Sequence, residues 1–312
     1  MVGMNPDVLE WLLAGDVSIQ YQVYRDLLDS PTDVQAELQA RIAHEGWGAE
    51  FLARRKSDGH WGGGYYRLKW ISTHYTLLDL KALGLPRGIK EIEETVNMVL
   101  EQEKGGDGGI NPAVTVPESD VCVSGMFLQC AAYFGSPEER LQPVIDFILS
   151  QQLDDGGFNC NYNRGGAVHS SLHSTISMAE GLWEYNKQGY VYRVEETEKA
   201  RSGCNRFMLD HRLYKSDRTG EVIDKKMLML SFPPRWRHDI LRALDYLAAA
   251  GEKYHPAMED ALYVLRQKQL KSGLWPLQAK HSGRVHFDME KPGRPSRWNT
   301  LRALRVLKHF KN

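Results

Sequence analysis

Asp120, Cys122 and His173 are the residues whose types and spacing most directly suggest chemistry. Asp120 stands two positions before Cys122, and His173 opens a later segment of the same pattern. One oxygen, one sulfur and one nitrogen donor suit Zn²⁺ with a fourth position left open, as in catalytic rather than structural zinc sites. A metal there keeps the Cys122 thiol deprotonated and equally activates a substrate thiol. The same positions support a metal-free alternative in which Asp120, His74, His173 and His238 exchange protons, since imidazoles titrate near neutral pH. Asp120 also has an ordinary use as a helix N-cap, and a lone His is commonly a hydrogen-bonded core residue.

The elements that must position these residues recur about every 50 to 65 residues, as internal repeats do. An amphipathic stretch rich in Gln or charge runs into a Gly turn at 51–63, 99–110, 147–158 and 265–275, with an irregular copy at 207–214. Each turn leads to a segment with apolar residues at helical spacing: 74–84, 122–132, 173–183, 238–248 and 298–308, preceded by 21–28. No stretch alternates as a strand does. The expectation is an all-α, (α/α)6 toroid forming one domain over 1–312, with six inner and about six outer helices. Aligning the six inner segments on apolar spacing makes one column of Tyr21, His74, Cys122, His173, His238 and Trp298. His and Cys number only 11 and 4 of 312 residues, so four of them in a six-position column point to a shared site.

Long connections (57–69, 105–119, 153–169, 211–232, 271–297) all lead into the inner-type helices, so they must gather on one face. Six helix N-termini at that mouth favour an anionic ligand group. Expected around it for substrate are Tyr21, Tyr65, Tyr66, Trp70, His169, Arg235, Trp236, Arg237 and Trp298. Trp61 belongs with these aromatics, and all of them have ordinary packing as the alternative role. The charged segment 278–297, with His281 and His286, is read either as a lid or as a solvated connector.

With 39 Lys+Arg against 40 Asp+Glu the chain has no attraction for phosphate backbones, which disfavours nucleic acid. The N-terminal stretch is neither a basic-headed secretory signal nor a membrane span, because Glu10 breaks its apolar run. The four cysteines form no CxxC pair and are read as reduced thiols in a cytoplasmic protein without stable membrane insertion.

The Gly-Gly turn after a Gln-bearing helix, repeated with this period, resembles the α/α-toroid superfamily of squalene and oxidosqualene cyclases and protein prenyltransferase β subunits. The resemblance runs from about Val17 to the end of the chain. It implies an aromatic-lined cavity for an isoprenoid or other apolar substrate, and a transferase or a cyclase-type lyase or isomerase. The prenyltransferase zinc ligands, an Asp-x-Cys pair on one inner helix and a His opening the next, match Asp120, Cys122 and His173. Basic groups at the mouth that bind diphosphate in that family have counterparts in Lys69, Arg235, Arg237 and His238. Two departures stand out. There is no Asp-x-Asp-Asp motif, and the helical-repeat partner subunit of the prenyltransferases has no equivalent within this chain. A non-catalytic lipid- or ligand-binding barrel is the alternative from another class.

Overall fold

The computed structural model describes residues 5–113 and 115–311, so the extreme ends of the expected domain lie outside the described residues. The fold is mostly helical. Its helices are α1 (Pro6–Leu13), α2 (Val17–Asp26), α3 (Thr32–Arg41), α4 (Gly46–Leu52), α5 (Thr73–Leu83), α6 (Lys90–Gln102) and α7 (Val121–Tyr133). They continue as α8 (Glu138–Ser150), α9 (Tyr162–Gly165), α10 (Leu172–Lys187), α11 (Val194–Asp210), α12 (Ile240–Ala249), α13 (Glu259–Gln267) and α14 (Arg297–His309). Two short strands, β1 (Trp275–Pro276) and β2 (Pro295–Ser296), pair antiparallel and clamp the base of the segment between them. No helix among the described residues is long and apolar enough to cross a membrane.

The repeated Gly turn has a concrete structural cause. In three copies an Asp carboxylate accepts the N–H two residues on, Asp58 from His60, Asp107 from Gly109 and Asp155 from Gly157. The second oxygen of Asp107 and of Asp155 accepts an amide shortly before the next helix, at Ser119 and Ser170. The residue leaving the turn then donates its N–H to a hydroxyl in the first turn of the following helix. These pairs are Trp61 to Thr73, Ile110 to Ser124, Phe158 to Thr175 and Trp275 to Thr300, at 2.9–3.0 Å. The turn is therefore a docking device that seats each long connection on the helix it precedes, which satisfies buried amides.

Helices α2, α5, α7, α10, α12 and α14 form a buried set, and each is bridged to the next. Gln22 of α2 donates to Ala82 O of α5 at 2.8 Å, and Tyr133 of α7 donates to Leu85 O just beyond α5. Gln129 of α7 donates to Glu180 of α10, and Arg242 of α12 pairs with the same Glu180 at 2.7 Å. Arg302 and Arg305 of α14 pair with Asp245 of α12, and Arg305 reaches Asp26 of α2 at 2.5 Å. The most extensive helix contact among the described residues is α7 against α10, made possible by glycine on both sides. A Cβ at Gly125 would lie 2.4 Å from Met178 Sδ, and one at Gly181 would lie 2.4 Å from Gly125 O.

Candidate functional site

Four residues of the expected column share a register: His74, Cys122, His173 and Trp298 are each second in their helix. Tyr21 and His238 are not, the first lying within α2 and the second preceding α12. Apolar spacing cannot separate registers about one turn apart, because a shift of three or four residues leaves the same helix face inward. The N-caps Asp16 and Asp239, which accept the amides of Ser18 and Arg242, place the true starts of those two helices.

Asp120 does cap α7, accepting from Val123 N at 2.9 Å, while its other oxygen pairs with Arg164 at 3.1 Å. Cys122 is joined to Cys160, a residue that sequence reasoning had not placed in the site, with Cα atoms 5.6 Å apart. Ser174 Oγ lies between them, 3.2 Å from Cys122 Sγ and 3.0 Å from the Cys160 amide. The expectation of four reduced thiols is thus corrected to one bonded pair and two free, buried cysteines, Cys130 and Cys204. Asp120, Cys122 and Cys160 are the group whose donor atoms lie within 4.8 Å of one another; His173 is not in it. Its Nδ1 accepts the His238 N–H at 2.9 Å and its ring packs edge-on to Trp236 at 5.2 Å. The family's Asp, Cys and His ligand set is therefore not assembled, and joined sulfurs cannot act as thiolate ligands.

The histidines expected to titrate near neutrality do not. Burial pushes His74 and His238 down to about 3 and His173 down to about 4. All three are neutral at pH 7 because charging an imidazole away from water is unfavourable. His74 is held by Tyr65, whose hydroxyl lies 2.9 Å from Nδ1, while Tyr66 and Tyr75 meet through their hydroxyls at 3.1 Å. Trp70 donates to Ser282 O, and His286 reaches Thr76 at 3.0 Å, so residues 277–290 lie over the start of α5 as a cover. Lys69 sits over Trp70 and Trp236, and Arg237 over Trp236. His169 is exposed beside Arg218, and Trp61 is core, donating to Phe51 O.

The open space lies elsewhere. A chamber of about 230 Å³ is walled by all six buried helices, and in α2, α5, α7 and α10 only by their C-terminal halves. The loop Phe232–Arg235 closes one side of it, with Phe232 stacked on Trp298 at 4.4 Å. The start of α5 is thus covered, and the chamber extends toward the opposite helix ends, where Lys187 and Ala249 are exposed. Tyr21 lies just behind its wall, under the guanidinium of Arg25 at 5.1 Å.

The chamber wall mixes the aromatics Tyr133, Trp183, Phe232, Tyr246 and Trp298 with charged side chains, which the expected aromatic lining did not include. Arg242 pairs with Glu180, Lys81 with Glu184 at 2.9 Å, and Arg302 and Arg305 with Asp245. Burial works against ionising these carboxylates, yet Arg242, Lys81, Arg305 and Arg302 outweigh it and hold all three below the usual carboxylate range. Asp79 is the exception. It is 3% exposed and has a single cation, Arg235, at 3.3 Å. Burial wins there and raises its carboxyl to about 6. Arg235 is fixed by the faces of Trp70 and Tyr75 and by donation to Trp70 O at 3.2 Å.

No known family model matches the chain, and no curated protein is a match to it.

Proposed function

We propose that the chain is an α/α toroid of the terpenoid cyclase and prenyltransferase type, in which α2, α5, α7, α10, α12 and α14 form the inner ring. In this reading the chamber performs metal-free acid–base chemistry, of the cyclase-like lyase or isomerase kind, on a small isoprenoid or other molecule with an anionic head. The circuit of side-chain bridges from α2 round to α14 and back supports the ring. The chemistry rests on Asp79, a buried carboxyl on the chamber wall with one guanidinium partner. A carboxyl near 6 is mostly ionised at pH 7 but keeps a usable acid fraction, which suits a general acid. Protonated Asp79 delivers its proton to the substrate, and Arg235 stabilises the carboxylate left behind. Trp298 and Phe232 present the apolar part of the wall to the substrate body. The volume, just below the roughly 300–1,000 Å³ usual for ligand pockets, favours a short chain.

The test is a turnover assay on allylic diphosphates of increasing length, with and without a strong chelator. Turnover of the shorter members should survive chelation and rise as pH falls from 8 toward 6. Asp79→Asn should lower kcat by about 10²- to 10⁴-fold, the span typical of general acid–base catalysis. Turnover abolished by chelator and restored by zinc would overturn this reading.

Zinc is the second reading, favoured by the proximity of Asp120, Cys122 and Cys160. In a reducing cytoplasmic setting the two sulfurs would be free, and with Asp120 released from Arg164 they supply three donors of a zinc site. Protein purified under reductant without chelator should then contain stoichiometric zinc that Cys160→Ala loses. Metal-free native protein ends that claim.

A further inference from the structure

The segment 159–169, with α9 at its centre, stands apart from the core. Its base is closed by the Ser171 amide on Phe158 O at 2.8 Å and by the Ser170 amide on Asp155 at 2.9 Å. Phe158 and Leu172, on either side, are buried, but no residue from 159 to 169 is. The apolar side chains that could anchor it face outward, with Val168 75% and Tyr162 37% exposed. A stretch without buried apolar contacts belongs to the least stable part of a fold, because little is lost when it opens.

Apart from one covalent bond, what holds this flap down is polar. Asn163 donates to Ser119 O at 2.8 Å, and Arg164 donates to Glu118 O at 2.7 Å and pairs with Asp120 at 3.1 Å. The Cys160 amide donates to Ser174 Oγ at 3.0 Å, and His169 meets Arg218 at 3.2 Å. Polar contacts at the water boundary are individually weak. The bond from Cys160 to Cys122 is the exception, and it fastens the flap to the first turn of α7. Asp120, which Arg164 grips, stands two residues before Cys122, so a polar lock and a covalent lock secure the same contact. Cys160 is partly exposed, whereas Cys130 and Cys204 are 1% and 0% exposed. A soluble thiol can therefore reach the flap pair and not the other two, since exchange requires access to a sulfur.

We propose that Cys122 and Cys160 form a reversible thiol switch, exchanged with a small soluble thiol of the glutathione class, which locks the flap over the starts of α7 and α10 when oxidised and releases it when reduced. One glutathione thiolate attacks Cys160 Sγ, which breaks the bond to Cys122 and forms a mixed disulfide. A second glutathione attacks that mixed disulfide and leaves as oxidised glutathione. Two electrons pass from the two glutathiones to the pair, and Cys122 and Cys160 each end with one proton. Oxidised glutathione runs the same steps backwards and restores the lock. The switch is independent of the acid–base reading, because neither the flap nor the pair lines the chamber.

The test equilibrates the whole native chain in glutathione buffers of rising reduced-to-oxidised ratio, with a metal chelator present so that no ion can hold the two sulfurs. Each sample is divided between thiol trapping with a maleimide and brief exposure to trypsin. Trapped thiols should rise reversibly from none to two per chain, with Cys130 and Cys204 labelled only after denaturation. In step with trapping, cleavage at Arg164 should quicken by about tenfold or more, as expected when the open form becomes more populated. Cleavage at Arg284, exposed in the separate segment 277–290, should stay constant. Cys160→Ser and Cys122→Ser should each be cut at Arg164 at the fast rate in every buffer, and an unchanged rate at Arg284 shows that the variant is folded. A pair that resists glutathione until the chain unfolds, or reduced protein in which Arg164 stays protected, overturns the inference.

Discussion

Acidification should destabilise this protein before most of its carboxylates are titrated, with a steep loss of stability beginning below pH 6.5. The cause is a group of imidazoles buried in neutral form. His74 and His238 are pushed down by burial to about 3, and His281 to about 4. The unfolded chain takes up these protons near pH 6.5, whereas the native chain refuses them until pH 3–4. A lowered native pKa on a histidine stabilises above the unfolded value and loses that contribution as pH falls. Asp79 acts in the opposite direction. Its raised carboxyl favours the native state below about pH 4, and that advantage disappears as pH rises through about 6. Near pH 5 the three imidazoles outweigh the one carboxyl by about two protons, a slope of roughly 3 kcal/mol per pH unit. His173 and His286 are also lowered to about 4 but are more exposed, so solvent screening reduces their share. Against a total stability of about 5–7 kcal/mol, at the low end of what domains show, such a slope brings the midpoint to about pH 4–5. Urea titrations followed by Trp fluorescence at pH 7.5, 6.5, 5.5 and 5.0 measure it directly. His281→Gln, which preserves a donor for Pro234 O, should lower the slope by about one proton. A midpoint that does not move between pH 7 and 5 would contradict the whole account.

The contrast between what was readable and what was not follows from where charge sits. The buried helices were legible because their apolar spacing is strong and four of them, α5, α7, α10 and α14, follow a Gly turn tied by a defined bond to a hydroxyl in the helix's first turn. Their starts at 73, 121, 172 and 297 lie within a residue of the expected positions. The site was not legible, because its charges are spaced along the helices among apolar residues and find their partners on different helices. Arg242 and Arg302 both occur in the tetrapeptide LRAL, each paired to a carboxylate on the preceding member of the buried set, Glu180 and Asp245. That repeat, and the isolated Asp79 within HYTLLDLKALG, were the available clues. A charge that interrupts an apolar helix face must be paired or used. Cys160 had no such mark, since its approach to Cys122 depends on how the loop after α8 folds back toward the start of α10.

Arg305 is the single side chain whose loss should cost the most stability. It spans three helices, pairing with Asp245 of α12 through Nε and Nη2 and with Asp26 of α2 through Nη1. Asp26 is drawn down to about 2, because Arg305 and Arg25 together overcome the burial that opposes its ionisation. In Arg305→Met the apolar stem is retained, but both carboxylates are left buried with one guanidinium each. Removing one partner from a buried ion network typically costs about 3–5 kcal/mol, because the remaining charge keeps its desolvation penalty. Arg305→Lys should recover only part, since an ammonium cannot serve two carboxylates in the forked geometry of a guanidinium. Arg305 also links the beginning of the chain to its end, standing 279 positions after Asp26. Its loss should therefore release α2 and α14 before other helices, although Lys308 to Asp29 and Arg297 to Trp11 O still bind the two ends. Hydrogen exchange should show protection falling first in α1, α2 and α14, while α7 and α10, locked by Gly125 against Gly181, retain theirs. The double variant Arg305→Met with Asp245→Asn should be less destabilised than the single one, because it removes one stranded charge. Uniform loss of protection, or a cost under about 1 kcal/mol, would mean that packing alone joins the two ends and that the polar circuit contributes little.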